Sequence, residues 1–586
     1  MCGVLLAFAK KGQLNQKKCL NASEKIFSRG PDFNFSRFEL DNKLFLSQTV
    51  LSITGNPELN LDYTKSNNNR FEILFNGEIY NFKELQSKYL DKKNIYNLSG
   101  SDTETIINLH QIYNPLEVRK MIDGMYAYVV FDSNQNKIFI SRDIIGEKVL
   151  YEYEDDKLLI FSSQLGPILE IVDNIRINKR VLKRYFFTRH LLTQKETVYE
   201  NINVFQPGRS VEVDLVNYNK KILDHEQLSD LIDPSLIGNN LNKSSNEILN
   251  EMDKLFQENA NFIKADIPYF SVVSGGIDSS LVSKYLKEQS NAAPNYICLQ
   301  FPGKDNVASE VINFEKFLHS KINQVNVDID LFENFLEESY KSICMPLPTH
   351  SFISQAILAR EVSQNGSKIL FTGDGGDELF GGYEFYKTID YDKEYKYNPS
   401  IYSGIFEQGI TFNDFDINED LYQSNNIWLN AKKHYEKFGL IESNINSILL
   451  LDTEIQLESV GIRASDTMSM MSSVESRGFF LTKRIIEFAL NLPAINKIDS
   501  KGKIETRPLM KNLFSKNFNK SLLKPKQGFS GFPNESMKRN IHNFSISREY
   551  LDIVEFENLE IKNNLSLEWK LLNVEYFLKT FSNYAK

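Results

Sequence analysis

At 586 residues the chain is too long for one hydrophobic core, so at least two domains are expected. Its 67 Lys and Arg against 77 Asp and Glu give a net charge of −10, which excludes a general grip on a phosphate backbone and with it nucleic acid as a partner. Four scattered cysteines offer neither a disulfide framework nor zinc-ligand spacing. No run reaches the roughly 20 apolar residues a membrane span needs. The opening MCGVLLAFAKKGQL has too short an apolar stretch and no basic leader for a signal peptide. A cytoplasmic protein with small-molecule partners is expected.

The first part reads as short strands at Cys2–Phe8, Lys43–Val50, Arg70–Phe75, Tyr126–Phe131, Lys137–Ser141 and Leu158–Phe161, rich in β-branched and aromatic residues and bounded by Asn, Asp or Gly. Helical patterns interrupt them at Phe82–Tyr89 and Thr103–Tyr113, the second with an N-cap signal at Ser101 and Asp102. This predicts an α+β, layered β domain over 2–215. The polar, turn-rich Asp233–Ser245 marks the junction. A second domain over 235–586 opens on an amphipathic helix, Glu247–Phe262. Apolar strands then alternate with helix: Tyr269–Val273, helix Ser279–Glu288, Asn295–Phe301 and Lys368–Thr372. Such alternation predicts an α/β parallel sheet with ligands at the carboxyl ends of its strands. From about residue 400 onward the pattern is mainly helical.

Two glycine-rich loops carry the chemistry of that sheet. Ser274-Gly275-Gly276-Ile277-Asp278-Ser279-Ser280 lies between an apolar strand and a helix, where free N–H groups attract phosphate. The lysine of a P-loop is missing, and Asp278 puts a carboxylate beside the anion, an arrangement that calls for a bridging Mg²⁺. Gly373-Asp374-Gly375-Gly376-Asp377-Glu378 follows a later strand and could supply the second magnesium ligand. Either loop alone would also suit a tight strand–helix turn. At the front, Cys2 stands behind a removable Met1, so its own α-amine (ordinary pKa about 7.7–8.0) could activate its thiol. Taken alone, M-C-G equally suits a small buried cysteine.

SGGIDSS and GDGGDELFGGY resemble the pyrophosphatase-loop signatures of the glutamine-hydrolysing asparagine synthetase family. Asp466-Thr467-Met468-Ser469-Met470 with Glu475 and Arg477 resembles its D-x-M-S-M…E-x-R stretch, and Lys524–Phe529 its R-x-K-x-G-F loop. Asn76-Gly77-Glu78-Ile79-Tyr80-Asn81, Ser101–Glu104 and Arg29-Gly30-Pro31-Asp32 match motifs of class II glutamine amidotransferases.

The resemblance implies an N-terminal-nucleophile glutaminase domain ahead of an ATP-pyrophosphatase domain. Glutamine is hydrolysed at Cys2, and ammonia attacks an acyl-adenylate, by default of aspartate, giving asparagine, AMP and pyrophosphate. Asn76 and Gly77 would form the oxyanion hole, with Glu78 and Asp102 on the glutamine ammonium. Val273, Ser274, Gly275, Gly276, Asp278, Ser279, Leu299, Thr372 and Gly373 would hold ATP, and Asp278 and Asp377 Mg²⁺. Asp374 would act at amine attack and Lys526 at the α-phosphate. Beyond glutamine, ATP and a carboxylate, the expected partner is a second copy of the chain, as a homodimer.

Three places depart from the family pattern. Val50 stands where relatives carry an arginine for the glutamine α-carboxylate. Losing a hydrogen bond to a charged group costs about 1.5–3 kcal/mol, or about 10- to 150-fold in affinity. Either another cation substitutes, Arg29 being the nearest in sequence, or glutamine is used inefficiently, or the pocket accepts a different amide. Ser476–Thr482 replaces a usual R-V-P-F-L-D, with Phe479 and Thr482 at its Pro and Asp, which bears on the acceptor. Ser28 replaces a histidine. These changes keep open an alternative: an asparagine synthetase-like amide ligase or amidotransferase acting on a specialised metabolite, glycan or peptide carboxylate, with weak or absent glutaminase activity.

Overall fold

A computed structural model describes residues 2–55, 64–95, 97–187, 195–289, 294–302, 307–394, 410–412, 422–523, 550–551, 553–556 and 565–581. Strands β1 (Cys2–Ala9), β2 (Phe33–Glu39), β3 (Leu44–Val50), β4 (Phe71–Ile79), β5 (Gly124–Asp132), β6 (Lys137–Arg142), β7 (Tyr151–Glu154), β8 (Leu158–Ser162), β9 (Ile202–Val204), β10 (Arg209–Asp214) and β11 (Asn219–His225) form two antiparallel sheets. Their orders are β2-β3-β1-β8-β7-β9 and β11-β10-β6-β5-β4. β11 pairs with β10 throughout its length, which carries the first sheet system ten residues past 215.

The sequence of β1 explains its central place. Val4, Leu6 and Phe8 point into the space between the sheets, against Leu44, Leu74 and Val129. Leu5, Ala7 and Ala9 point the other way, into a core shared with Ile160 and Ile168. A strand covered on both faces needs apolar residues at every position rather than at alternate ones. Each large apolar side chain removed from water contributes roughly 1.5–3 kcal/mol. The outcome is that Cys2, at the head of β1, sits deep in the molecule directly opposite Val50 of β3.

Helix α1 (Asp102–Leu109) starts where expected: the Ser101 hydroxyl accepts from the Glu104 amide at 3.2 Å. The polar segment 233–245, in contrast, is largely helical. Asp233 caps Pro234–Leu241, with proline at the first helical position, and Ser244 and Glu247 form a capping box on Ser245–Phe262. Its turn-forming residues are helix caps.

The second part centres on a parallel sheet of β12 (Phe270–Val272), β13 (Asn295–Gln300), β14 (Ile322–Asn326), β15 (Ile369–Thr372) and β16 (Glu475–Gly478), in the order β14-β13-β12-β15-β16. The chain leaves β12 in one direction to β13 and reaches β15 on the other side. The crevice beyond the carboxyl ends of β12 and β15 is therefore the switch point at which open α/β sheets bind ligands. Among the described residues the region past 422 is mainly helical, yet it supplies β16, and residues 410–412 pair with 553–556. No helix of the described residues is long and apolar enough to cross a membrane.

Candidate active sites

At the head of β1, the backbone nitrogen of Cys2 donates to Asn76 Oδ1 at 3.1 Å. The same Asn76 is fully buried in β4, and its Nδ2 has no hydrogen-bond partner among the described residues. A buried donor without a partner costs about 1–3 kcal/mol, so this one stores binding capacity beside the thiol. Gly77 follows with φ +154, and a Cβ there would meet the Met125 carbonyl oxygen at 2.1 Å. Only glycine brings β4 this close to β5. Cys2, Gln48, Val50, Glu78, Ser101 and Asp102 line one cleft.

Burial pushes the Cys2 thiol above its ordinary value, against the positive amino terminus and bonds from Leu51 and Gln48. A thiol held protonated needs a base before it can attack. Burial also raises the Asp102 carboxyl, while the Ile79 and Thr103 amides, at 3.0 and 2.7 Å, counter it. Arg29 is engaged beside this cleft. Its Nε donates to the Cys2 carbonyl at 3.1 Å and its Nη2 meets Asp466 Oδ1 at 2.9 Å, with both side chains buried. Arg29 thus joins the R-G-P-D turn to helix α2 (Arg463–Met470) of the second part.

A second buried junction joins the two parts. Arg477 of β16 donates through Nε to Glu475 Oε1 at 2.5 Å and stands 3.5 Å from Glu78 Oε2. Burial raises both carboxyls and Arg477 opposes it. The nearer Glu475 falls to about 2, and the farther Glu78 stays well above its ordinary value. Residue 78, in the cleft of Cys2, therefore shares its cation with the sheet of the other site.

At the switch point, Asp278 stands in the first turn of the helix Ile277–Gln289, and Asp377 in the helical turn Gly376–Phe380 after β15. Ser274 Oγ and Ser279 Oγ lie 2.9 Å apart across the first loop, and Val273 is held to β13 by a bond to the Ile297 carbonyl at 2.9 Å. Leu299 lies in β13, and Thr372 closes β15. A Cβ at Gly382 would meet Asp377 Oδ1 at 1.9 Å, which is why that loop ends in glycine. The two carboxylates, 7% and 9% exposed as residues, converge on a single cationic nitrogen of Arg507, 2.8 Å from Asp278 and 3.1 Å from Asp377. Two acidic groups converging on one cation fit a divalent metal with diphosphate oxygens as its further ligands. Sequence reasoning missed Arg507, since nothing local in E-T-R-P-L marks it. Lys526 lies outside the described residues.

Asp374 accepts from Thr372 Oγ1 at 2.8 Å and from Ser465 Oγ. It faces a small cavity between the two parts, shared with Glu147, Lys148, Ser476 and Gly478. Of the altered 476–482 stretch, Ser476, Gly478 and Leu481 line this cavity. Phe479 is instead fully buried against Phe256 and Phe480, and Thr482 donates to Asn259 at 2.7 Å. These two substitutions repack the core and do not face the cavity.

Glu147 accepts from the Gly478 amide at 3.0 Å, and burial raises its carboxyl from 4.5 to about 8 against the pull of Lys148. The folded state holds the extra proton between those values, so this group makes stability fall as pH rises through that window. Glu147→Gln has no such titration. Its stability gain over the wild type is expected to grow by about 2–4 kcal/mol between about pH 5 and pH 8. Paired thermal melts check this; a gain independent of pH would refute it.

A buried cysteine at the head of a layered β fold is joined here to a parallel sheet with acidic loops at its switch point. A glutamine amidotransferase domain profile matches residues 1–222 and an asparagine synthase profile residues 252–550, just over half of the 586 residues. The chain belongs to the asparagine synthase family, and its class is carbon–nitrogen ligase with glutamine as amido donor. It is 28% identical over 410 residues to the probable glutamine-hydrolysing asparagine synthetase of Acanthamoeba polyphaga mimivirus, covering 67% of this chain and 70% of that protein. Against glutamine-hydrolysing asparagine synthetase 2 of Bacillus subtilis identity is 25% over 503 residues, with 80% and 64% covered. Against asparagine synthetase B of Escherichia coli it is 24% over 415 residues, with 67% of each chain covered.

Proposed function

We propose that the chain hydrolyses glutamine at Cys2 and uses the ammonia to convert an acyl-adenylate to an amide, with aspartate as the default acceptor. Once Met1 is removed, the nitrogen bonded to Asn76 Oδ1 becomes the Cys2 α-amine, a base that shares a residue with its nucleophile. The thiolate attacks the carboxamide, and Asn76 Nδ2 with the Gly77 N–H receives the oxyanion. Glu78 and Asp102 hold the substrate ammonium, which gives the raised Glu78 carboxyl the cation it shares only partly in Arg477. Ammonia leaves and water releases glutamate from the thioester.

At the switch point the substrate carboxylate attacks the α-phosphate of ATP. Val273, Leu299, Thr372 and Gly373 would contact the nucleotide, and Ser274, Gly275, Gly276 and Ser279 the departing diphosphate. Asp278 and Asp377 would hold Mg²⁺, which when bound offsets the negative charge of the phosphates. Lys526 would face the α-phosphate, and Asp374 the incoming amine. The observation that supports this most is the convergence of Asp278 and Asp377, from loops after two neighbouring parallel strands, on one cation position.

A second reading keeps the adenylation and changes the acceptor to a specialised metabolite, glycan or peptide carboxylate. Val50 opposite Cys2 and Gly478 on the cavity of Asp374 favour it. The test of both is AMP release over a panel of carboxylic acids with glutamine or ammonium as donor. Aspartate is expected to support AMP and pyrophosphate release with either donor, and the glutamine KM to stand about 10- to 150-fold above that of an arginine-bearing relative. Release with another acid and none with aspartate would move the assignment to the second reading, and release with no acid would refute both.

A further inference from the structure

The cation position between the two acidic loops is already filled from within the chain. Arg507 caps the helix Pro508–Asn517 from a left-handed backbone conformation, φ +55. Its amide is fixed to the Lys497 carbonyl at 2.7 Å. Its side chain is 5% exposed, and one nitrogen, Nη1, takes one oxygen from each carboxylate: Asp278 Oδ2 at 2.8 Å and Asp377 Oδ1 at 3.1 Å. Two buried carboxylates held together without a cation would be costly, and the guanidinium meets that cost. Magnesium, however, takes carboxylate oxygens at about 2.0–2.1 Å in near-octahedral geometry. A metal on these same two oxygens would stand close to the guanidinium, and two like charges so close in a buried site repel strongly.

Resting on the ligase reading above, we propose that Arg507 is a built-in counter-cation. It is a positioning residue that keeps Asp278 and Asp377 together and has to be displaced before a divalent metal can bind. Free metal then binds weakly, because each binding event must first break two charge-assisted hydrogen bonds. Metal arriving with a polyphosphate binds better, because the phosphate oxygens give the displaced guanidinium a new partner.

The test is Mn²⁺ binding to the full-length protein without nucleotide, followed by electron paramagnetic resonance. Arg507→Met is expected to bind Mn²⁺ about tenfold tighter than the wild type or better, with Arg507→Lys between them. Binding equal to or weaker than wild type in Arg507→Met overturns the proposal. Should that variant fail to fold, Arg507→Lys decides alone: tighter binding supports the proposal and equal or weaker binding overturns it. Asp278→Asn and Asp377→Asn, measured alongside, tell its failure from that of the metal reading. Loss of Mn²⁺ binding in both upholds the metal reading, and binding indifferent to both sinks it together with the proposal.

Discussion

Cys2→Ala is expected to lower glutamine-dependent amide formation by at least about 10³-fold while ammonium-dependent AMP release stays within about twofold. The split follows from the architecture. Cys2 heads β1 in the first sheet system, whereas the acidic loops sit at the switch point of the parallel sheet. The substitution is sterically mild, because alanine fills less of the cleft than cysteine and the Cys2 backbone keeps its bond to Asn76. Glutaminase assays and AMP release, run on the same preparation, read the two sites separately. Glutamine hydrolysis that survives the substitution would remove Cys2 from the mechanism.

Asp278→Asn and Asp377→Asn are each expected to reduce AMP release by about 10²–10³-fold or more with either nitrogen donor. Amide side chains preserve the packing against Gly376 and Gly382 and leave Arg507 one carboxylate partner, so folding is expected to survive. What is lost is half of the negative charge that would hold the metal on the diphosphate. Circular dichroism and thermal melts verify the fold, and pyrophosphate release the chemistry. Wild-type cleavage between the α- and β-phosphates in either variant would end the assignment of this crevice as the adenylating site.

Much of this is legible in the chain because the chemistry demands exceptions to ordinary patterning. Glycines clustered after apolar strands announce both loops, and a cysteine behind the initiator methionine stands out in a strand otherwise built for burial. The N-cap at Ser101 is legible because capping is a local matter of four residues. What escapes is long-range or hidden by charge. β16 reads E-S-R-G, nothing like a buried strand, because Glu475 and Arg477 satisfy one another inside the core. Arg507 meets residues 229 and 130 positions away, beyond the reach of any spacing rule. Arg29 is half legible for the same reason: it does reach the Cys2 carbonyl, while its second partner, Asp466, lies 437 positions off.

The ion pairs of Arg29 with Asp466 and of Arg477 with Glu78 also govern how this enzyme can be taken apart. Truncation between residues 225 and 233 would part Arg29 from Asp466 and Glu78 from Arg477, and would expose the surface now buried around both pairs. Apolar surface laid bare beside these charges counts against each fragment, set against the about 5–15 kcal/mol that holds a typical domain folded. Neither half, made separately, should behave as a clean miniature of its share of the reaction. A chimera that grafts this front onto a foreign back half must bring residues 466 and 477 with it.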